Sequence, residues 1–139
     1  MSLEFFKSHS LHDNYIHGLS YMDENYECDL ILDIDYIHEW HCEREPCEFV
    51  VSPAWLTFKN VSRLNISISK PEPTINSYLG IILDVKFHPI SEGRLWYEFT
   101  LVGSNKLEVE ASGLALEIWG APTTTKTQWL STVQRYASN

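Results

Sequence analysis

From Cys28 to Trp40 the chain alternates. Leu30, Leu32, Ile34, Tyr36, His38 and Trp40 occupy the even positions; Asp29, Ile31, Asp33, Asp35, Ile37 and Glu39 occupy the odd ones. Successive side chains of a strand point to opposite faces. The pattern therefore predicts a long strand with an apolar, aromatic face on a core and a face carrying four carboxylates turned to water. A slip of one residue would send those carboxylates inward, so the register is strongly specified. The same period recurs upstream. Tyr15, His17, Leu19 and Tyr21 alternate with Ile16, Gly18 and Ser20, and Asp23-Glu24-Asn25 is turn-forming, so this strand and the next should form a hairpin.

Downstream the pattern stays β. Phe49–Val51 reads as a short strand broken by Ser52-Pro53, and Trp55–Phe58 as another. Leu64, Ile66 and Ile68 alternate with Asn65, Ser67 and Ser69. Lys70-Pro71-Glu72-Pro73 must interrupt any sheet, because proline removes a ladder donor. Leu79, Ile81, Leu83, Val85 and Phe87 form one predicted inward face, Leu95, Tyr97, Phe99 and Leu101 the next, and Leu107, Val109 and Ala111 a third. Leu114, Leu116 and Ile118 make a last strand, so residues 79–119 read as an antiparallel meander. Trp129, Val133 and Tyr136 are spaced for one face of a helix over residues 126–137. About eight short strands separated by turns predict a mainly β, single-domain antiparallel sandwich or partly open barrel over residues 1–139, with a short C-terminal helix.

Charge sharpens the picture. Residues 1–50 hold twelve carboxylates against Lys7 and Arg44, a balance of −10, whereas the remainder carries +1. Such a surface repels phosphate backbones, which argues against nucleic acid, and attracts a cation or a basic protein. No stretch has the roughly 18 uninterrupted apolar residues of a membrane span. The N-terminus has no basic region followed by an apolar one, so no signal peptide is expected. With no export signal, the odd set Cys28, Cys42 and Cys47 fits reduced thiols in the cytoplasm.

Three clusters could carry chemistry. His38, His41, Cys42 and Cys47 offer zinc-type ligands, but the spacing is poor and no second cluster follows. Asp29, Asp33, Asp35 and Glu39 form a row that could hold a hard cation or share a proton. Like charges two apart on one strand face repel and need a counter-charge, for which Arg63 and Arg94 are candidates. His12-Asp13 with His17 has the elements of a general base but no partnered nucleophile. The plainer readings are loop cysteines, a solvated acidic face and turn residues. Trp96 and Trp119 fall on outer faces, where a second layer or a partner must cover them. No GxGxxG, Walker loop, HExxH, GxSxG or paired CxxC occurs.

Leu11–Gly18, Leu30–Ile37, Pro53–Phe58 and the closing Leu107–Ala111 strand together resemble small bacterial β-rich proteins of uncharacterised function, similar to immunity-protein-like domains of polymorphic toxin systems. The likeness spans most of residues 11–119 as a strand pattern and transfers no catalytic positions. It implies a bacterial cytoplasmic protein that neutralises a toxin. The expectation is a non-enzymatic protein-binding module that meets a basic protein partner through Asp29, Asp33, Asp35 and Glu39. No cofactor, nucleic acid or membrane is expected. The alternative is a metal-binding protein or metal-dependent enzyme using the acidic strand face or the His38–Cys47 cluster.

Overall fold

A computed structural model describes residues 5–6, 9–24, 27–68 and 80–136. The strands are β1 (Tyr15–Glu24), β2 (Glu27–His41), β3 (Glu48–Lys59), β4 (Arg63–Ser67), β5 (Gly80–Ser91), β6 (Arg94–Leu101), β7 (Asn105–Ala111), β8 (Gly113–Ile118) and β9 (Thr123–Thr125). One helix, α1 (Thr132–Tyr136), follows them. The interruption expected at Lys70–Pro73, and Leu79, lie outside the described residues.

The strands make one antiparallel sheet, ordered β4-β7-β6-β5-β1-β2-β3-β8, with β9 on the same edge of β3 as β8. The sheet is not closed into a barrel, and the mainly β, single-domain expectation holds. It folds over on itself, because one apolar core takes side chains from both halves. Ile16, Leu30, Leu32, Ile34, Leu56 and Phe58 come from one half; Tyr97, Phe99, Leu107 and Val109 come from the other. Phe58 meets Tyr97 and Phe99 edge-on, with ring centroids 5.2 and 5.7 Å apart. Each such Leu or Ile gains about 1.5–3 kcal/mol on burial, so the even positions of β2 fix its register as the alternation predicts.

The expected meander from 79 to 119 is true only of β5-β6-β7. At Ser112 the chain crosses to the other half, and β8 pairs with β3. The ladder Ala54↔Ile118 to Lys59↔Gly113 slips by one residue at the Asn60–Ser62 corner and continues as Arg63↔Glu110 to Ser67↔Lys106. Two bent ribbons, β3–β4 and β7–β8, thus stitch the halves together. Arg94 secures the corner through Asn60 O at 2.7 Å and Ser62 Oγ at 2.6 Å.

Three local expectations change. Pro53 does not break β3, which runs through it. Its missing N–H points away from β2, into the gap between β8 and β9, where only its carbonyl is used, accepting from Trp119 N at 3.0 Å. In β5 a bulge between Ile82 and Asp84 moves Leu83 outward and turns Ile82 inward. The helix is five residues, and its buried residue is Arg135, while Val133 is 78% exposed. Ser131 and Gln134 close its start reciprocally: Gln134 N donates to Ser131 Oγ and Ser131 N to Gln134 Oε1.

Candidate functional site

The acidic side of β2 is an interior. After β8 the chain returns across the outer face of β1, β2 and β3. There β9 pairs with Val51–Phe49, Trp129 lies on Tyr15 with ring centroids 5.0 Å apart, and Leu130 joins Ile37, Phe49 and Val51 in a second small core. This return segment and α1 sit over Asp33 and Asp35.

Asp35 has no exposed surface. Its Oδ1 accepts from Arg135 Nη1, and its Oδ2 lies 2.6 Å from His17 Nε2 and accepts from Leu130 N at 2.9 Å. Arg135 Nη2 reaches Asp33 Oδ1. One guanidinium therefore bridges two carboxylates two residues apart on one strand, which is the counter-charge that row requires. It comes from α1 and not from Arg63 or Arg94. Arg63 lies over the Trp96 ring at 5.7 Å, and Arg94 belongs to the corner. The guanidinium also covers Trp119 at 5.3 Å, beside Tyr136, so α1 supplies the second layer that Trp119 needs.

His17 reaches Asp35 because of a bulge. The β1–β2 register shifts between Ile16 and Gly18, leaving His17 as the extra residue, and an extra residue re-aims its side chain. A second bulge, between Ile37 and Glu39, breaks the other end of the row. Beyond it Trp40 pairs with Phe49, with their rings edge-on at 5.4 Å, on the face of Asp35. Glu39 turns to the opposite face, where it meets His41 Nε2 at 3.2 Å. Asp29, at the far end, accepts from Lys59 Nζ at 3.4 Å and Asn60 N at 3.0 Å. The four carboxylates do not form one open face. Asp35 is enclosed, Asp33 shares its cation, and Asp29 and Glu39 lie at opposite ends.

The remaining candidates separate as well. Cys42 and Cys47 are joined as a disulfide, so neither is a thiolate ligand. His38 Nε2 lies 2.8 Å from the oxygen of buried Ser52, and burial, opposed by nearby Glu39, holds its pKa below the ordinary histidine value. His12 Nδ1 contacts Leu83 O at 2.8 Å, and Asp13 accepts from Gln128 at 3.1 Å, so this pair is split from His17. Cys28 is the free thiol, raised in pKa by burial and then by Asp23 and Asp29.

Among the described residues two places stay open and acidic: the end of the β1–β2 hairpin, with Asp23 and Glu27 exposed, and the loop joining β2 to β3. Glu43 and Glu45 of that loop, and Glu39 and Glu48 on the strands flanking it, are all exposed, with Arg44 among them, and Trp40 beside them is 40% exposed. Sequence reasoning passes over Arg135 because nothing near it in the chain is acidic; its only signal is the unmet demand for a cation under Asp33 and Asp35. Comparison with family models, curated proteins and solved structures gives no match.

Proposed function

We propose that the chain is a non-enzymatic protein-binding module of the bacterial cytoplasm, of the immunity type, whose partner is a basic toxin. The single observation that supports this reading is the placement of unneutralised charge. Arg135 sets one positive charge between Asp33 and Asp35, His17 and Leu130 N hydrogen-bond to the enclosed Asp35, and Lys59 answers Asp29. Acid of the first third is left at the end of the β1–β2 hairpin, where Asp23 and Glu27 are exposed, and on the disulfide-closed loop, where it lies beside the half-exposed Trp40. A ring of carboxylates steers a basic partner, and a partly exposed tryptophan is a common anchor once contact is made.

The partner surface in this reading is therefore the loop, with Glu39 the residue it retains from the acidic row of β2. The test is a pull-down from the source cell at low and high salt, with the triple variant Glu43→Gln, Glu45→Gln, Glu48→Gln as the control. A basic protein retained at low salt, released at high salt and lost with the variant supports the reading. Retention indifferent to both salt and the variant removes it.

The compartment has its own test. A bond between Cys42 and Cys47 is favoured in an oxidising environment, which weighs against the cytoplasm. Alkylation before lysis, completed in denaturant so that Cys28 also reacts, decides the matter. A cytoplasmic protein yields all of Cys28, Cys42 and Cys47 alkylated, whereas labelling of Cys28 alone places the chain in an oxidising compartment.

A further inference from the structure

The sheet path ends on β8, and among the described residues no strand pairs with its far side. Sheet edges are normally guarded by charge, proline or a bulge, because unpaired N–H and C=O groups template association. β5, which β1 pairs only at Gly80 and Ile81, carries Asp84, Lys86 and Pro89 on the part left open, and the edge strand β4 carries Arg63 beside Asn65 and Ser67. β8 reads Gly-Leu-Ala-Leu-Glu-Ile, with Glu117 its one charge, no proline and an unshifted ladder on β3.

The register shows which groups are free. Trp119 N donates to Pro53 O in line with the Ala54↔Ile118 ladder. Bonded and non-bonded pairs alternate in an antiparallel ladder, so the odd residues of β8 bond to β3. The N–H and C=O groups of Leu114, Leu116 and Ile118 then point to the open edge. On the inner face Leu114 and Leu116 are half-buried and Ile118 is 40% exposed, so the apolar strip of the core runs out to this edge incompletely covered.

We propose that β8 is the contact between two copies of this chain, paired antiparallel about a two-fold axis at Leu116. In that register Leu116 bonds to its counterpart, and Leu114 bonds to Ile118 of the other copy. The inner strip then continues across the axis as apolar pairs. On the outer face each Glu117 meets Ala115 of the other copy. Moving the axis to residue 117 would set the two Glu117 carboxylates opposite each other, and moving it to residue 115 would keep an overlap of the same length but put Ile118 opposite Ser112, outside the strand. The edge is self-complementary in charge and apolar pattern, as an isologous interface must be. A second copy therefore fits it where an arbitrary strand has no such match, and the pairing closes at two.

The test uses Ala115, which is exposed and contributes nothing to the core. Sedimentation velocity over a concentration series should show wild-type protein reaching twice the 16.1 kDa of one chain. Ala115→Glu sets a carboxylate against Glu117 of the other copy and should weaken the dimer at least tenfold. Ala115→Glu with Glu117→Lys should restore it, and Ala115→Lys alone should strengthen it in a salt-sensitive way. If Ala115→Glu does not fold, the Ala115→Lys strengthening carries the test. A wild-type monomer at every concentration, growth past the dimer, or a dimer indifferent to both Ala115 variants overturns the proposal.

Discussion

Asp35 and His38 illustrate how side chains on one strand acquire different roles. Asp35 is accommodated in the interior because both oxygens are answered: Arg135 on one, His17 and Leu130 N on the other. Removing Arg135 would strand it, and a stranded buried ion costs far more than a surface pair is worth. His38 is the reverse case, a histidine held toward its neutral form by partial burial against Tyr36 and Ser52. Its folded pKa lies below its unfolded value of about 6.5. The unfolded chain then binds the proton more readily, so this contribution is fully present above about pH 6.5 and is lost as pH falls through the lower folded value. Melting from pH 7.5 down to 5 should cost the wild type more than His38→Gln, in which that site cannot titrate. Parallel curves would mean that His38 is as free as in the unfolded chain. Neither role is legible from residue type alone, because each is set by a partner distant in sequence.

The strands themselves are legible wherever one face is apolar without interruption. Leu30, Leu32, Ile34 and Tyr36 of β2, Tyr97 and Phe99 of β6, and Leu107 and Val109 of β7 are all buried as their alternation predicts. The period fails where a bulge inserts a residue, at His17, His38 and Leu83. None of these three is a glycine or proline that would announce it, and each bulge flips the facing of the residues beyond it. The bulge at His38 is why Glu39 leaves the face of Asp33 and Asp35 and Trp40 joins it. Proline misleads in the other direction. Pro53 reads as a breaker, yet β3 absorbs it because the side on which it lacks a donor faces a gap between β8 and β9. The C-terminal segment is the hardest element to read. Trp129, Val133 and Tyr136 have the spacing of a buried helical face, but α1 begins only at Thr132 and packs through Arg135. The electrostatic demand of the sheet outweighs the apolar period of the helix.

At the scale of the whole molecule, the first third supplies the acid and the last residues supply the cation that tames part of it. That pairing spans 100 residues, so no local pattern could disclose it. It makes the C-terminal segment a second layer of the fold and leaves the outward-facing acid at the β2–β3 loop and the β1–β2 hairpin end. The loop reading depends on this division, because free carboxylates at Asp33 and Asp35 would move the partner surface back to the strand. The most direct measurement is a double-mutant cycle on Asp35→Asn and Arg135→Met, read by urea unfolding. Arg135→Met leaves the enclosed Asp35 without its cation and should cost about 3–5 kcal/mol, whereas Asp35→Asn leaves Arg135 its pair with Asp33 and should cost less. The double change should cost less than the two together by at least about 2 kcal/mol, because the carboxylate that Arg135→Met strands is then already gone. Single costs below about 0.5 kcal/mol, or two costs that simply add, would contradict a C-terminal segment clamped to the sheet through Arg135.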